Sequence, residues 1–208
     1  MRKHRGIFIT FEGSEGSGKS TQARLLYRYL KSKGKKVLHI REPGGIKISE
    51  QIRRILLDVK NVKMTKICET LLYMAARAQL VEEVIAPALK KGTIVICDRF
   101  LDSTIVYQGY GHGIDIRFIK DIGRFVTGGI QPDITFIFDI AVKHGLSRTG
   151  RRKDRIERRS LSYHNRVRRG YLKIARQEPQ RIKLVKASGS RVEIQKIIRS
   201  CVDKRLTL

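Results

Sequence analysis

Eight residues near the start of the chain have the spacing of a phosphate-binding loop. They match the pattern GxxxxGK[ST] in full and are Gly13, Ser14, Glu15, Gly16, Ser17, Gly18, Lys19 and Ser20. Glycines let the backbone wrap around a phosphate so that N–H groups point at it, and a following helix adds the positive end of its dipole. In such a loop the lysine reaches the β- and γ-phosphates and the serine hydroxyl binds Mg²⁺. The pattern therefore predicts a site for a nucleoside triphosphate with magnesium.

A second set of charged residues could hold another phosphate. Arg77 lies on a predicted helix, and Asp98 and Arg99 come at the end of a predicted strand. Ligands bind at the carboxyl ends of strands in open α/β sheets, and a guanidinium fork suits a phosphate dianion. Asp98 could hold Mg²⁺ through water, or it could be a structural partner of Arg99. Because switches, motors and kinases all use phosphate-binding loops, the function depends on what this second site accepts.

The elements that must position these side chains follow from the apolar pattern. Five short apolar runs predict strands, at residues 7–11, 36–40, 93–97, 134–140 and 181–186. The spacers have helical periodicity, with a long helix at 65–90, bent near Pro87, and a closing helix at 192–206. This alternation predicts an α/β fold of the P-loop NTPase type, three-layer α/β/α with a five-stranded parallel sheet. We expect residues 1–208 to form this single domain.

Composition and charge narrow the class of protein. The chain has 208 residues, 41% hydrophobic and 31% charged, which excludes fibrous, collagen-like and disordered proteins. Three separated cysteines lack zinc-binding spacing and favour a reducing cytoplasm, and we expect no targeting or membrane segment. The formal charge of +26 could attract a polyanion or could be a property of the solvated surface.

Residues 147–160 contain almost no apolar side chains, which predicts a mobile surface flap or, alternatively, a solvated charged loop.

Five segments together resemble the thymidylate kinase family of P-loop nucleoside monophosphate kinases. They are FEGSEGSGKST at residues 11–21, REPGG at 41–45, AARAQLVEEVIAPAL at 75–89, DRFLDSTIVYQG at 98–109, and DRIE with NRVRRGYL within 154–172. The resemblance spans nearly the whole chain, and the combination is more specific than any one segment. It implies transfer of the γ-phosphoryl group of MgATP to dTMP, giving dTDP and ADP, by a homodimer.

The resemblance also implies how the thymidine part of dTMP is bound. Tyr73 would stack on the thymine ring and Arg77 would hydrogen-bond the base, with Thr104 and Gln108 contacting the base or its surroundings. Tyr107 would line the sugar face that lacks a 2′-hydroxyl. From the residues alone, either tyrosine could instead be an ordinary core aromatic.

Further roles implied by the resemblance concern the phosphates and ATP. Arg53 and Arg99 would hold the acceptor phosphate, and Glu15 would help to bind the sugar or the water shell of magnesium. Thr21 would extend the ATP-binding loop, and Arg148 would stack on adenine. Together with the lysine of the loop, these cations would screen the repulsion between two polyanions. No general base is required, because the acceptor phosphate is already anionic near neutral pH.

Residues 147–160 resemble the lid of the bacterial subgroup whose phosphate loop lacks an arginine of its own. Gly16 occupies that loop position here, so a lid cation must stabilise the transition state, and the candidates are Arg151, Arg152, Lys153 and Arg155. Of these, Arg151 and Arg155 are our predicted catalytic residues. Two positions depart from the family pattern: Ile46 replaces a threonine after REPGG, and Lys186 stands where an acidic residue commonly closes the last strand.

Two other functions stay open on the sequence. One is a kinase of another pyrimidine nucleoside monophosphate, such as dUMP, which would use the same chemistry. The other is a degenerate P-loop protein that binds nucleic acid through its basic surface. Nucleic-acid binding is not expected, because Lys19, Ser20, Asp98, Arg77 and Arg99 are all intact and no zinc-finger or RNA-binding signature is present.

Overall fold

A five-stranded parallel sheet organises the computed structural model of the chain, which describes residues 6–150 and 153–206. In the spatial order β2-β3-β1-β4-β5, its strands are β1 (Phe8–Gly13), β2 (Val37–Arg41), β3 (Ile94–Asp98), β4 (Ile134–Asp139) and β5 (Ile182–Lys186). Neighbouring strands are parallel throughout, so their carboxyl ends lie at one edge. The predicted parallel sheet is confirmed, with strand ends displaced by a residue or two.

Helices cover both faces of the sheet and complete the three layers. One face packs against α1 (Lys19–Ser32) and α9 (Arg191–Leu206). The other face carries α3 (Lys66–Leu80), α4 (Ala86–Lys90), α6 (Ile116–Val126) and α8 (Leu161–Gln177), and α2 (Lys47–Leu57) packs on α3. Strand side chains alternate between these cores, with Phe11 facing α1 and Phe8 facing α3 and α4. Within the described residues, no helix combines the length and apolar character needed to cross a bilayer.

Two helical runs contain π-helical turns. The predicted long helix forms as α3, a π-helical segment at Val81–Ile85, and α4. Pro87 lies at the start of α4, where its missing N–H does least harm. A second π-helical segment, Ile105–Gly111, continues the short helix α5 (Leu101–Thr104). It carries Tyr107 and Gln108, so the widened turn occurs where nucleotide-contacting residues were predicted.

The segment that resembles a lid follows α7 (Val142–Ser147) and packs partly on the body of the protein. Arg155 and Ile156 are only 8% and 5% exposed, and the Arg155 Nε–H donates to the carbonyl of Leu56 at 2.8 Å. The expectation of a surface segment is therefore wrong for these two residues, because Arg155 Nε and Nη1 find partners that are distant in sequence, Leu56 and Glu69. Arg151 and Arg152 lie outside the described residues.

Candidate active site

One cavity at the carboxyl edge of the sheet brings together most of the predicted site residues. The phosphate-binding loop follows β1, and Asp98 ends β3. Further walls come from helices α1 to α3 and α5, from the π-helical segment Ile105–Gly111, and from Asp154, Ile156 and Glu157 of the segment that resembles a lid. The predicted residues that line the cavity are Glu15, Gly16, Lys19, Ser20, Arg53, Tyr73, Arg77, Asp98, Arg99, Thr104, Tyr107 and Gln108. A parallel sheet places its strand ends side by side, which explains how segments so distant in sequence meet here.

The phosphate-binding loop has the backbone conformation that its glycines predict. Gly16 has a φ of +65°, and a Cβ built on it would lie 2.0 Å from the carbonyl oxygen of Gly145. Backbone strain and lack of space therefore both exclude a side chain at this position. Lys19 is buried, and its Nζ donates to the carbonyl of Ser14 at 3.4 Å. Burial and the charge of Arg99 hold the pKa of Lys19 below its usual value, so an arriving polyphosphate would gain a poorly solvated cation.

A second depression lies on the other side of the phosphate-binding loop. Its lining includes the predicted ATP-binding residues Ser17, Gly18, Thr21 and Arg148, together with Gln22, Ala187, Gly189, Arg191 and Ile194. The depression thus adjoins both the amino end of α1 and the loop after β5. Arg148 also packs near Gly16, since a Cβ on that glycine would lie 3.1 Å from the Arg148 Cβ. This is the placement expected of a residue that covers a base attached to the bound phosphates.

The two departures from the family pattern differ in their setting. Ile46 precedes helix α2, where it offers no side-chain cap and instead packs against the core formed by α3, α4 and β3. Lys186 is exposed at the end of β5, next to the loop that borders the second depression. Isoleucine at position 46 therefore replaces a residue that could cap helix α2 with one that packs against the apolar core.

Arg99 is held in the main cavity by both its backbone and its side chain. Its backbone has a φ of +71°, and its N–H donates to the carbonyl of Phe11 at 2.9 Å. The guanidinium donates to Glu15 Oε1 at 3.0 Å and to the hydroxyls of Ser103 and Tyr107 at 3.0 and 3.2 Å. Because a left-handed arginine is uncommon, this conformation marks a constrained backbone position.

Glu15 belongs to the same hydrogen-bond network. Its Oε1 accepts from the Tyr107 hydroxyl at 2.7 Å as well as from Arg99. Burial opposes ionisation, but the charges of Arg99 and Lys19 outweigh it and lower the pKa of Glu15. The other oxygen, Oε2, is buried and has no hydrogen-bond partner among residues 6–150 and 153–206, although the His164 ring lies 3.7 Å away. Glu15, which lines the cavity, therefore has unused acceptor capacity.

Glu12 supports Arg99 from the end of β1 and was not among the predicted residues. Its Oε1 accepts the backbone N–H of Phe100 at 2.7 Å, and its Oε2 accepts the hydroxyls of Ser103 and Tyr171. Those two hydroxyls in turn accept from Arg99 Nη1 at 3.0 and 3.2 Å. Burial raises the pKa of Glu12 to about 7. Its place at the end of an apolar strand was the one available signal in the sequence.

Arg77 forms a buried ion pair rather than an ordinary helix-surface charge. Its side chain is 2% exposed, and its Nε donates to Glu42 Oε2 at 2.8 Å. Its Nη2 donates to the Thr104 hydroxyl at 3.0 Å, and its guanidinium lies 5.3 Å from the centre of the Phe100 ring. Burial raises the pKa of Glu42 to about 7, and Arg77 only partly offsets this. The pair fixes the position of Arg77 in the wall of the cavity.

Glu69 on α3 is another carboxylate that sequence reasoning missed. It is fully buried and accepts from Arg155 Nη1 at 2.6 Å, Arg159 Nη2 at 3.0 Å, His112 Nε2 at 3.1 Å and Gln108 Nε2 at 3.0 Å. Burial opposes its ionisation, but these partners prevail and lower the pKa of Glu69 to about 2. Its partners come from two segments far from α3 in sequence, so no local pattern signals them.

Asp98 and Ser20 are the predicted residues for a magnesium ion. Both line the main cavity, and Asp98 Oδ1 is buried with no hydrogen-bond partner in the described part of the chain. Arg99, the alternative partner considered for Asp98, pairs with Glu15 instead. A buried carboxylate oxygen without a donor, beside a hydroxyl, fits a hard cation that also keeps waters and phosphate oxygens as ligands. The residues present therefore fit magnesium.

Comparisons with known proteins agree on one family. The family model described as thymidylate kinase matches residues 11–198. The chain is 51% identical over 201 residues to a thymidylate kinase of Symbiobacterium thermophilum, covering 96% of this chain and 94% of that protein. It is 49% identical over 192 residues to a thymidylate kinase of Citrifermentans bemidjiense, covering 88% and 85%. The crystal structure of thymidylate kinase from Ehrlichia chaffeensis superimposes with a TM-score of 0.79 and 34% identity, covering 95% of this chain and 98% of that one.

Proposed function

Since this chain belongs to the thymidylate kinase family and transfers the γ-phosphoryl group of ATP to dTMP, we propose that its two nucleotides meet in the cavity around Arg99. The observation that carries this proposal is the convergence of the phosphate-binding loop, Arg99 and Arg77 on a single cavity. A crystal structure with ADP and dTMP tests it. We expect the dTMP phosphate within hydrogen-bonding distance of Arg99, and a phosphate bound elsewhere would refute the placement.

The acceptor phosphate lies between two guanidinium groups in our proposal. Arg99 and Arg53 both line the main cavity and would supply them. The Arg53 Nη1 already donates to the carbonyl of Pro43 at 3.0 Å, which orients its side chain. Two oriented forks of this kind suit the oxygens of a phosphate dianion.

The base and the sugar occupy the remainder of the acceptor side. Tyr73 offers an aromatic face on which thymine would stack. The residues that would surround the edge of the base are Arg77, Thr104 and Gln108. Tyr107 also lines this cavity and would approach the sugar face that lacks a 2′-hydroxyl. Its hydroxyl donates to the Glu15 carboxylate at 2.7 Å, which fixes the position of its ring.

The donor side uses the phosphate-binding loop and the second depression. The backbone N–H groups from Gly13 to Thr21 cradle the ATP phosphates, and Lys19 reaches the β- and γ-phosphates. Adenine occupies the depression beside Arg148, bordered by Ala187 and Gly189. This arrangement places the γ-phosphate at the boundary between the depression and the main cavity, facing Arg99.

Catalysis in this arrangement is mainly alignment and charge neutralisation. An oxygen of the dTMP phosphate attacks the γ-phosphorus, and the bond to the β,γ-bridging oxygen breaks, leaving ADP. The attacking oxygen carries no proton to remove near neutral pH, so none of the chain's histidines is needed as a base. Lys19 and Arg99 both line the cavity and would lower the mutual repulsion of the two nucleotides.

Magnesium completes the donor site in our proposal. The Ser20 hydroxyl and the unpartnered Asp98 Oδ1 would hold it, Asp98 through a water molecule. When bound, the ion neutralises charge on the β- and γ-phosphates. Glu15, whose Oε2 is unused, lines the same cavity and would orient the ion's water shell.

The cation missing from the phosphate-binding loop is assigned to the lid, residues 147–160. Gly16 has no room for a side chain, so the loop cannot provide the charge itself. Arg151 is proposed from the resemblance alone, because it lies outside the described residues. Arg155 is held by Glu69 and would have to leave that ion pair to reach a phosphate. We therefore favour Arg151 as the transition-state cation and Arg155 as the residue that docks the lid.

We also propose the oligomeric state, the cellular compartment and the domain organisation of the protein. Helix α3 adjoins both α2 and α6, and the apolar side chains that these three helices expose are Ile48, Ile55, Ile67, Leu71, Phe118 and Phe125. An exposed apolar surface of this kind favours a homodimer through these helices.

Three free cysteines fit a reducing cytoplasm, and we propose that the chain is a single domain. A vestigial site in a nucleic-acid-binding protein is not favoured, because the kinase residues converge.

A further inference from the structure

The amide of Gln108 is fixed in the wall of the main cavity. Gln108 lies on the π-helical segment Ile105–Gly111 and is 1% exposed, yet its side chain lines the cavity beside Tyr73, Arg77 and Thr104. Its Nε2 donates to Glu69 Oε1 at 3.0 Å. A buried amide that touches both a carboxylate and a ligand cavity has only one free end for the ligand.

Glu69 determines which end that is. An ionised carboxylate only accepts hydrogen bonds, so the nitrogen of the Gln108 amide must face it and the carbonyl oxygen must point away. Ionisation is enforced by Arg155 Nη1 at 2.6 Å and Arg159 Nη2 at 3.0 Å, both on Glu69 Oε2. Gln108 shares Oε1 with His112, whose Nε2 lies 3.1 Å away. The two arginines thus leave Oε1 free to orient the amide.

We propose that Glu69 is a specificity-positioning residue: by orienting Gln108 it presents a hydrogen-bond acceptor to the base, which selects pyrimidines that carry an N3–H. This inference rests on the proposed placement of thymine beside Gln108. It identifies the favoured bases chemically as those with an imide, thymine and uracil, and the rejected base as cytosine.

The neighbouring donor completes the readout of the imide. Arg77 carries only donors, and Glu42 and Thr104 hold it in the wall of the same cavity that Gln108 lines. A thymine ring offers a carbonyl oxygen next to its N3–H, which matches a donor next to an acceptor. Cytosine offers an amino group and an unprotonated N3 at the same places, so it would set donor against donor and acceptor against acceptor. Sites that leave such buried groups unpaired reject the wrong ligand strongly.

The test is the substitution Glu69→Gln. In this variant the single side-chain oxygen of the introduced glutamine stays with the two arginines, and its NH₂ group faces Gln108. Gln108 must then turn its own oxygen towards that NH₂ group and present its nitrogen to the base. We expect the ratio of kcat/KM for dTMP to kcat/KM for dCMP to fall by roughly tenfold or more. A ratio equal to that of the wild type would overturn the inference.

Two further variants distinguish a wrong role for Glu69 from a wrong position for the base site. Arg159→Ala removes one partner from the other oxygen of Glu69, but Arg155 still holds that oxygen at the shorter distance of 2.6 Å and keeps Glu69 ionised. The Gln108 contact stays in place, so the dTMP-to-dCMP ratio should equal that of the wild type. If Glu69 merely supported the fold or the lid, E69Q would slow both substrates alike. Gln108→Leu should also lower the ratio. If it does not, the proposed base site is wrong, whereas a ratio lowered by Q108L and not by E69Q refutes Glu69 alone.

A measurement on the unsubstituted protein covers the case in which E69Q does not fold. The side-chain amide of Gln108 in ¹⁵N-labelled protein can be assigned by its absence from the Q108L spectrum. Because one amide proton is bound to Glu69, we expect slow exchange with solvent in the absence of nucleotide. Fast exchange, as in an exposed glutamine, would contradict the inference.

Discussion

Glu12 Oε1 accepts the backbone N–H of Phe100 at 2.7 Å, immediately after the left-handed residue Arg99. The carboxylate at the end of β1 therefore holds the turn that follows β3. Its other oxygen accepts hydroxyl protons from Ser103 and Tyr171, which frees the oxygens of both hydroxyls to accept from Arg99. A single buried carboxylate thus sets both the backbone and the guanidinium of the acceptor-site arginine.

Glu12→Gln should damage the acceptor site selectively. The NH₂ group of the introduced glutamine would donate to Ser103 or Tyr171, whose hydroxyl proton would then point at Arg99 and push it away. At about pH 8.5, where Glu12 with its pKa of about 7 is ionised, we expect KM for dTMP to rise roughly tenfold and kcat to fall, with KM for ATP nearly unchanged. Steady-state kinetics with each substrate varied in turn measures this. Glu178→Gln, at a 42% exposed side chain bound to Arg181, serves as the control, and an unaltered KM for dTMP in E12Q would contradict the assignment.

Lys19→Ala should abolish turnover and spare the fold. Burial disfavours the charge of Lys19 in the nucleotide-free protein, and its hydrogen bond to Ser14 is long, so little stability depends on it. Loss of its charge on the β- and γ-phosphates should lower kcat more than about 100-fold. A coupled ADP-release assay, with circular dichroism to verify folding, tests this. Lys31→Ala, on the same helix and exposed, should be normal. A folded K19A enzyme with wild-type turnover would exclude the role.

Glu42 should make stability depend on pH. Its pKa is raised from 4.5 to about 7 by burial, so the folded state binds a proton more tightly than the unfolded state does. Its contribution to stability is therefore complete below about pH 4.5 and is lost as pH rises through 7. Relative to Glu42→Gln, the free energy of unfolding of the wild type should fall by on the order of 1–3 kcal/mol between pH 5 and 8.

Urea titrations at several pH values compare the two proteins. Glu82→Gln, at an exposed position in the π-helical segment Val81–Ile85 and outside the cavity, should track the wild type. If the free energy of unfolding of the wild type relative to that of E42Q stays level or rises between pH 5 and 8, then Glu42 is ionised throughout this range. The attraction of Arg77 would in that case outweigh the cost of burying the carboxylate.

The parts of the site that lie close together in sequence are the parts that could be predicted. The phosphate-binding loop is a local pattern of glycines, lysine and serine, and the strands are continuous apolar runs, so both follow from short-range chemistry. Glu69 could not be found in this way, because its role depends on Gln108, Arg155 and Arg159, which the tertiary fold brings to it. The burial of Arg155 could not be predicted for the same reason, because the composition of residues 147–160 does not show which distant residues they contact.

The exposed face of α3 offers a test of the proposed homodimer. Ile67 and Leu71 are 45% and 47% exposed, one helical turn apart. Replacing both with glutamate should leave the core intact and place charges on the proposed interface, so the wild type should sediment as a dimer and the double variant as a monomer. Val192→Glu, at a 65% exposed residue on α9, should remain dimeric. A monomeric wild type, or a dimeric double variant, would exclude this interface.

The two lid arginines should differ in the kinetic constant that they affect. Arg155 is buried against Glu69 and Leu56, so its loss should weaken lid docking and raise KM, with a modest effect on kcat. Arg151→Ala should instead lower kcat by roughly 100-fold with little change in KM, because a cation that acts on the transferring phosphoryl group contributes chiefly in the transition state. Arg158→Ala, at an exposed lid residue, is the matched control. A larger loss of kcat in R155A than in R151A would give the catalytic role to Arg155, and would require its ion pair with Glu69 to open in every turnover.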